Sequence, residues 1–143
     1  ARSFNTTSAA IRANSKCLSA DVNAAYDPNF AEVLEKQNAT YLSCGAGVTK
    51  FTGARGKSGS SDADAEYVGF LRKLFDENGV IWQTGELGKV DEGGGGTVAK
   101  YIAAMNIDTI DVGVAVISMH APYEVVSKAD VYETYLAFKA FIK

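Results

Sequence analysis

Apolar residues recur along this chain with two different periods, and the change from one to the other marks out alternating strands and helices. Residues 16–22 (Lys-Cys-Leu-Ser-Ala-Asp-Val) and 47–51 (Gly-Val-Thr-Lys-Phe) read as short strands. Residues 80–84 and the long apolar run 110–120 read as two more. Helical spacing takes over between them. Val68, Leu71, Leu74 and Phe75 share one face behind a capping pair at Ser61 and Asp64, and Asn78-Gly79 supplies a left-handed stop. Val98, Tyr101, Ile102 and Met105 mark a second helix; Val131, Tyr135, Phe138 and Ile142 mark a last one, opened by Ser127 and Asp130. A short helix at 8–14 and a polar one at 30–37, after a turn at 26–29, complete the order. The Gly- and Ser-rich stretches 53–61 and 85–96 read as loops. This alternation predicts an α/β fold: a three-layer sandwich with a mostly parallel sheet and helices on both faces.

Composition narrows the picture. At 143 residues and 47% hydrophobic, the chain holds enough apolar material for a core, and residues 1–143 form one domain or part of one. A net charge of −3 gives no reason to expect nucleic acid or an anionic membrane as partner. No apolar run reaches the length of a membrane span, and the N-terminal residues lack the form of a signal peptide, so a cytoplasmic protein is expected. Cys17 and Cys44 form no CxxC pair and read as free thiols in a reducing compartment. On that reading Asn5-Thr6-Thr7 and Asn38-Ala39-Thr40 are chance matches to a glycosylation sequon. The sequence starts at Ala1 and runs straight into a helix, which suggests a piece of something longer.

Two residues carry candidate chemistry. His120, the only histidine, stands where the 110–120 run gives way to a loop, the edge at which α/β proteins gather ligand and catalytic groups. Asp21 lies in apolar surroundings, where a carboxylate is costly unless a cation or hydrogen bonds compensate it. Alone, His120 could be structural and Asp21 a turn residue; together they are half of a divalent-metal site. The tract Gly93-Gly94-Gly95-Gly96 could offer backbone N–H groups to an anion or let a ligand come close. It is neither a Walker loop nor a dinucleotide fingerprint, because no Gly-Lys-Ser/Thr closes it and no ribose carboxylate follows.

The order Leu18-Ser19-Ala20-Asp21, Asp27-Pro28-Asn29-Phe30, Gly47-Val48-Thr49-Lys50, Gly96-Thr97 and Ile117-Ser118-Met119-His120 resembles the dinuclear-zinc aminopeptidases of the aspartyl aminopeptidase and vacuolar aminopeptidase I family. The stretch 78–91 looks like the bacterial, clostridial-type branch. The resemblance covers the whole chain but only the C-terminal part of such an enzyme. It implies the C-terminal half of a zinc-exopeptidase catalytic domain, with the N-terminal portion and dimerisation domain absent.

By this resemblance Asp21 and His120 are metal ligands for two divalent ions, zinc, cobalt or manganese. Lys50, Gly95, Gly96 and Thr97 line the substrate site, and the general-base glutamate and bridging aspartate lie upstream. The parent would release N-terminal amino acids from peptides as a large homo-oligomer, a dodecamer in the family; the isolated chain would be inactive. Ala24 and Asp27 stand where many relatives carry histidines that hold substrate, which leaves a preference for acidic or neutral N-terminal residues open. Glu124 matches a glutamate after the histidine loop. The alternative is a non-catalytic α/β binding or assembly module that uses the glycine-rich loop for a small anion.

Overall fold

The computed structural model describes residues 5–55, 58–89 and 91–143. The loops expected at 53–61 and 85–96 therefore lie outside the described residues at Gly56, Lys57 and Val90. The elements run α1 (Ser8–Ala13), β1 (Lys16–Ser19), β2 (Asn23–Ala24), two 3-10 turns (Pro28–Val33 and Lys36–Asn38), β3 (Ala46–Thr49), β4 (Phe51–Ala54), β5 (Ser58–Asp62) and α2 (Ala65–Glu77). They continue with β6 (Trp82–Thr84), β7 (Gly94–Gly95), α3 (Ala99–Ala103), β8 (Asp108–Gly113), β9 (Ala115–Ile117), β10 (Val125–Val126) and α4 (Lys128–Ile142).

A four-stranded sheet in the order β1-β8-β3-β6 forms the centre. Its β1–β8 and β3–β6 pairs are parallel, as expected, but β8 and β3 run antiparallel, with Val48 opposite Val112. Parallel pairing thus dominates less than the sequence suggests. The α/β class stands. α2 begins at its N-cap Asp64, whose carboxylate accepts from the N–H groups of Glu66 and Tyr67, and ends at Asn78, followed by Gly79 at φ +67°. Its Tyr67, Leu71 and Phe75 are buried against Val48, Ile110, Val112 and Ala137. Each such side chain contributes roughly 1.5–3 kcal/mol by leaving water.

α4 covers the same face, but with a different stripe from the expected one. Val131, Tyr135 and Ile142 are exposed, while Ala137 and Ala140 are buried against the sheet. Small residues allow the helix a close approach to β3 and β8. Asp130 does not cap α4; it is fully buried and accepts from the N–H groups of Ser43 at 2.7 Å and Gly45 at 2.8 Å. α3 also departs from expectation: Ala99 is buried, whereas Val98, Tyr101 and Met105 face outward. It packs on β8, and the Thr97 before it reaches Asp111, which strand alternation puts on the sheet face opposite Ile110 and Val112. Helices therefore lie on both faces.

Two expected strands are cut short or broken. The first, expected over 16–22, ends as β1 at Ser19, with β2 forming beyond Val22, and the long run splits into β8 and β9 around Val114. The cause is a close crossing: a Cβ at Gly113 would stand 1.9 Å from the carbonyl oxygen of Asp21. Past that point β2 and β9 pair in parallel in a second sheet, with β10 antiparallel on the far side of β9. The polar helix expected at 30–37 is instead the pair of 3-10 turns, the first started by Pro28 with the Asp27 carboxylate accepting from Asn29 N–H. The Gly/Ser stretch holds a hairpin, β4–β5, which β7 joins as a third strand. No helix among the described residues is long and apolar enough to cross a membrane.

Candidate metal and substrate site

Asp21 sits in the link between β1 and β2, half-buried, with Oδ1 accepting the Val22 N–H at 2.9 Å. Its peptide packs on Gly113 at the end of β8. His120 is exposed in the turn between β9 and β10. That turn is strained. Ser118 (φ +60°) and His120 (φ +67°) both adopt left-handed backbone conformations, and the His120 N–H donates to Glu124 Oε1 at 2.6 Å. Asp21 precedes the short β2–β9 ladder and His120 follows it, so the two candidate ligands flank one pair of parallel strands.

Thr97 is buried. Its hydroxyl donates to Asp111 Oδ2 at 2.6 Å and lies 3.5 Å from the Thr52 hydroxyl. Asp111 Oδ1 has no hydrogen-bond partner among the described residues. Burial pushes the Asp111 carboxyl up from its usual value; the hydroxyls of Ser19 and Thr97 pull it back down, and the charge of Asp21 pushes it up again. Asp111 thus ties the end of the glycine tract to the strand beside Asp21. Sequence reasoning passed it over, although it is an acid inside an apolar run, the same signal that singled out Asp21.

The glycine tract serves the chain's own packing. Gly94 has φ +98°, and a Cβ there would stand 2.1 Å from the carbonyl oxygen of Gly53 on the paired strand. Gly95 faces Leu87, and a Cβ on Gly96 would meet Lys100 Nζ at 3.3 Å.

Lys50 is exposed between β3 and β4, its ammonium paired with Asp62. It borders a hollow with Gln83, Thr84 and Glu86. Glu86 is half-buried, and its carboxyl is pushed up from 4.5 to about 7, first by loss of water and next by Asp62, with Lys50 acting the other way. Folding therefore favours protonated Glu86. The stability this gives is complete below pH 4.5 and is lost as pH rises through about 7. Urea midpoints across this range should fall for the native chain relative to Glu86→Gln, and parallel curves for the two would disprove the shift. Nothing in the sequence around Glu86 signals this environment.

Asp21 and His120 are oxygen and nitrogen donors of the kinds zinc accepts, so the residues fit a metal in kind. They do not complete one. Among the described residues no cluster of three or more His, Cys, Asp or Glu side chains is placed to hold a metal ion.

Comparison with known proteins assigns the chain. The family described as aminopeptidase I zinc metalloprotease (M18) matches residues 1–142. A probable M18 family aminopeptidase 1 of Clostridium acetobutylicum is 53% identical over 129 residues, which are 90% of this chain and 28% of that protein. The vacuolar aminopeptidase 1 of Saccharomyces cerevisiae is 32% identical over 132 residues, 92% of this chain and 24% of the yeast protein. Among solved structures, an M18 aminopeptidase from Thermotoga maritima superposes with a TM-score of 0.92 at 42% identity, covering 99% of this chain and 33% of that one. The aminopeptidase I crystal structure from Clostridium acetobutylicum gives a TM-score of 0.87 at 52% identity, over 91% of this chain and 28% of the other. The chain spans 28% of the length of its Clostridium relative. Its fold is thus that of solved M18 aminopeptidases, and the chain belongs to the aminopeptidase I zinc metalloprotease (M18) family.

Proposed function

We propose that this chain supplies one wall of the active site of a zinc-dependent aminopeptidase that releases N-terminal amino acids from peptides. Asp21 and His120 each give one ligand to a pair of divalent ions, and the remaining ligands and the general base come from another part of a longer protein. The strained His120 turn carries this reading. Left-handed backbone at a histidine, held by a 2.6 Å hydrogen bond to Glu124, is the kind of local strain that persists where a side chain must be aimed. Family membership adds the reaction class. When bound, zinc would polarise the scissile carbonyl and lower the pKa of its water.

The chain's own residues position rather than react. Thr97 and Asp111 hold the glycine tract against the Asp21 strand, while Glu124 fixes the His120 peptide. Two ligands and no base predict that the isolated chain turns over no peptide. Solved structures of the related yeast enzyme include one described as the mApe1 dodecamer, 27% identical to this chain with a TM-score of 0.73, and we extend to the longer protein a large homo-oligomer. We also place that protein in the cytoplasm.

The test uses the full-length protein. With zinc, cobalt or manganese it should cleave aminoacyl amides from the N-terminus, lose activity to a chelator and regain it on metal return. Turnover by the isolated chain that His120→Ala abolishes would contradict the division of ligands. An inert, metal-free full-length protein that binds small anions would favour the binding-module alternative.

A further inference from the structure

Asp111 differs from the other buried amide and carboxylate side chains described above and beside it. Asn23, two positions past Asp21, is 1% exposed; its amide donates to the Thr49 hydroxyl and accepts from Thr40 at 3.1 Å. Asp130 receives a backbone N–H on each oxygen. Asp111 is 4% exposed, yet among the described residues it accepts a hydrogen bond on Oδ2 alone, from Thr97. Leaving a buried carboxylate oxygen without a donor costs free energy, and an asparagine in its place would still accept the Thr97 hydroxyl. Packing gives no reason for an acid here.

Its neighbours do. Asp111 lies opposite Ser19 across the β1–β8 pair, and Asp21 follows Ser19 by two positions. The Asp21 carbonyl in turn crosses Gly113, two positions beyond Asp111. Both carboxylates therefore belong to one crossing of strands. Among the described residues the charge that acts on Asp111 is that of Asp21, which has the same sign. Like charges so placed weigh against the metal-free fold. A divalent cation held by Asp21 would relieve both, because a bound ion is the largest local charge in its surroundings.

Resting on the aminopeptidase reading above, we infer that Asp111 is a positioning residue that strengthens divalent-metal binding through Asp21. It supplies charge, and Thr97 supplies the anchor that keeps the carboxylate in place at the end of the glycine tract. Without metal the carboxylate burdens the fold; with metal its charge is compensated. Groups set around metal ligands in this way commonly change affinity by about 10–100-fold.

The experiment uses the full-length protein, stripped of metal and titrated with zinc against a chromophoric chelator. Asp111→Asn keeps an oxygen for Thr97 and removes the charge. Its zinc affinity should fall by about 10–100-fold, while its metal-free urea midpoint equals or exceeds that of the native protein. An unchanged affinity would overturn the inference and leave the aminopeptidase reading intact. Should Asp111→Asn prove less stable than the native protein, or fail to fold, Thr97→Val decides, since it removes the anchor and keeps the charge. Native zinc affinity in Thr97→Val supports the role of charge; a loss of about 10-fold or more shows that the pair is only a scaffold and overturns it. A native full-length protein that binds no zinc removes the aminopeptidase reading and this inference together.

Discussion

His120→Ala in the full-length protein should lower kcat/KM by at least about 10³-fold. A metal ligand contributes several kcal/mol to stabilising charge in the transition state, and each 1.36 kcal/mol is about tenfold in rate. The metal content of the purified variant should fall as well, which separates a lost ligand from a lost proton donor. Glu124→Ala should cost less, about 10-fold, because it removes only the carboxylate that accepts the His120 N–H and lets the left-handed turn relax. If His120→Ala retains activity within a few-fold, or if Glu124→Ala is the more damaging of the two, His120 is not a ligand.

The second large effect is on stability. Asp130 is fully buried, and both its carboxylate oxygens are engaged, one by Ser43 N–H and the other by Gly45 N–H. Ser43 (φ +66°) and Gly45 (φ +98°) are both left-handed, so that turn depends on the acceptor at its centre. A hydrogen bond to a charged group is worth about 1.5–3 kcal/mol, and two such bonds are lost here, leaving the buried Gly45 N–H and the part-buried Ser43 N–H without their acceptor. Asp130→Ala should therefore destabilise the chain by about 3–5 kcal/mol in urea unfolding, and Asp130→Asn, which keeps one acceptor, by roughly half as much. An alanine variant as stable as the native chain would show that water replaces the carboxylate and that the turn does not rely on α4.

These residues show what kind of information each level holds. Asp130 is visible in the sequence as an acid three residues after Ser127, which is the pattern of a helix cap. Its actual partners lie 87 and 85 positions away, and no local pattern can reveal them. Lys50 tells the same story for the site. Its position near a strand end is legible, but its pairing with Asp62 depends on the β4–β5 hairpin, built largely from Gly and Ser residues that read as loop. Asp21 and His120 can be singled out from the sequence because an acid in apolar surroundings and a lone histidine at the end of an apolar run are costly or conspicuous wherever they occur. Asp111 and Glu86 needed their neighbours to give them meaning.

The sequence by itself determined the α/β class, the apolar face and end of α2 and the location of the central strands, although Ser61, read as part of the α2 cap, lies in β5. Those follow from periodicity, the Asp64 cap and the Asn78-Gly79 stop, all of which act within a few residues. The order of motifs also determined the family. Only the tertiary structure decided that the 110–120 run breaks and the first strand ends early where Gly113 crosses Asp21, that β8 and β3 run antiparallel, and that α4 turns its alanines rather than its tyrosines to the sheet. It alone paired Lys50 with Asp62 across the β4–β5 hairpin. Close approaches of backbone and pairings across long separations produce these features, and their energies depend on what lies opposite each residue rather than on what precedes it.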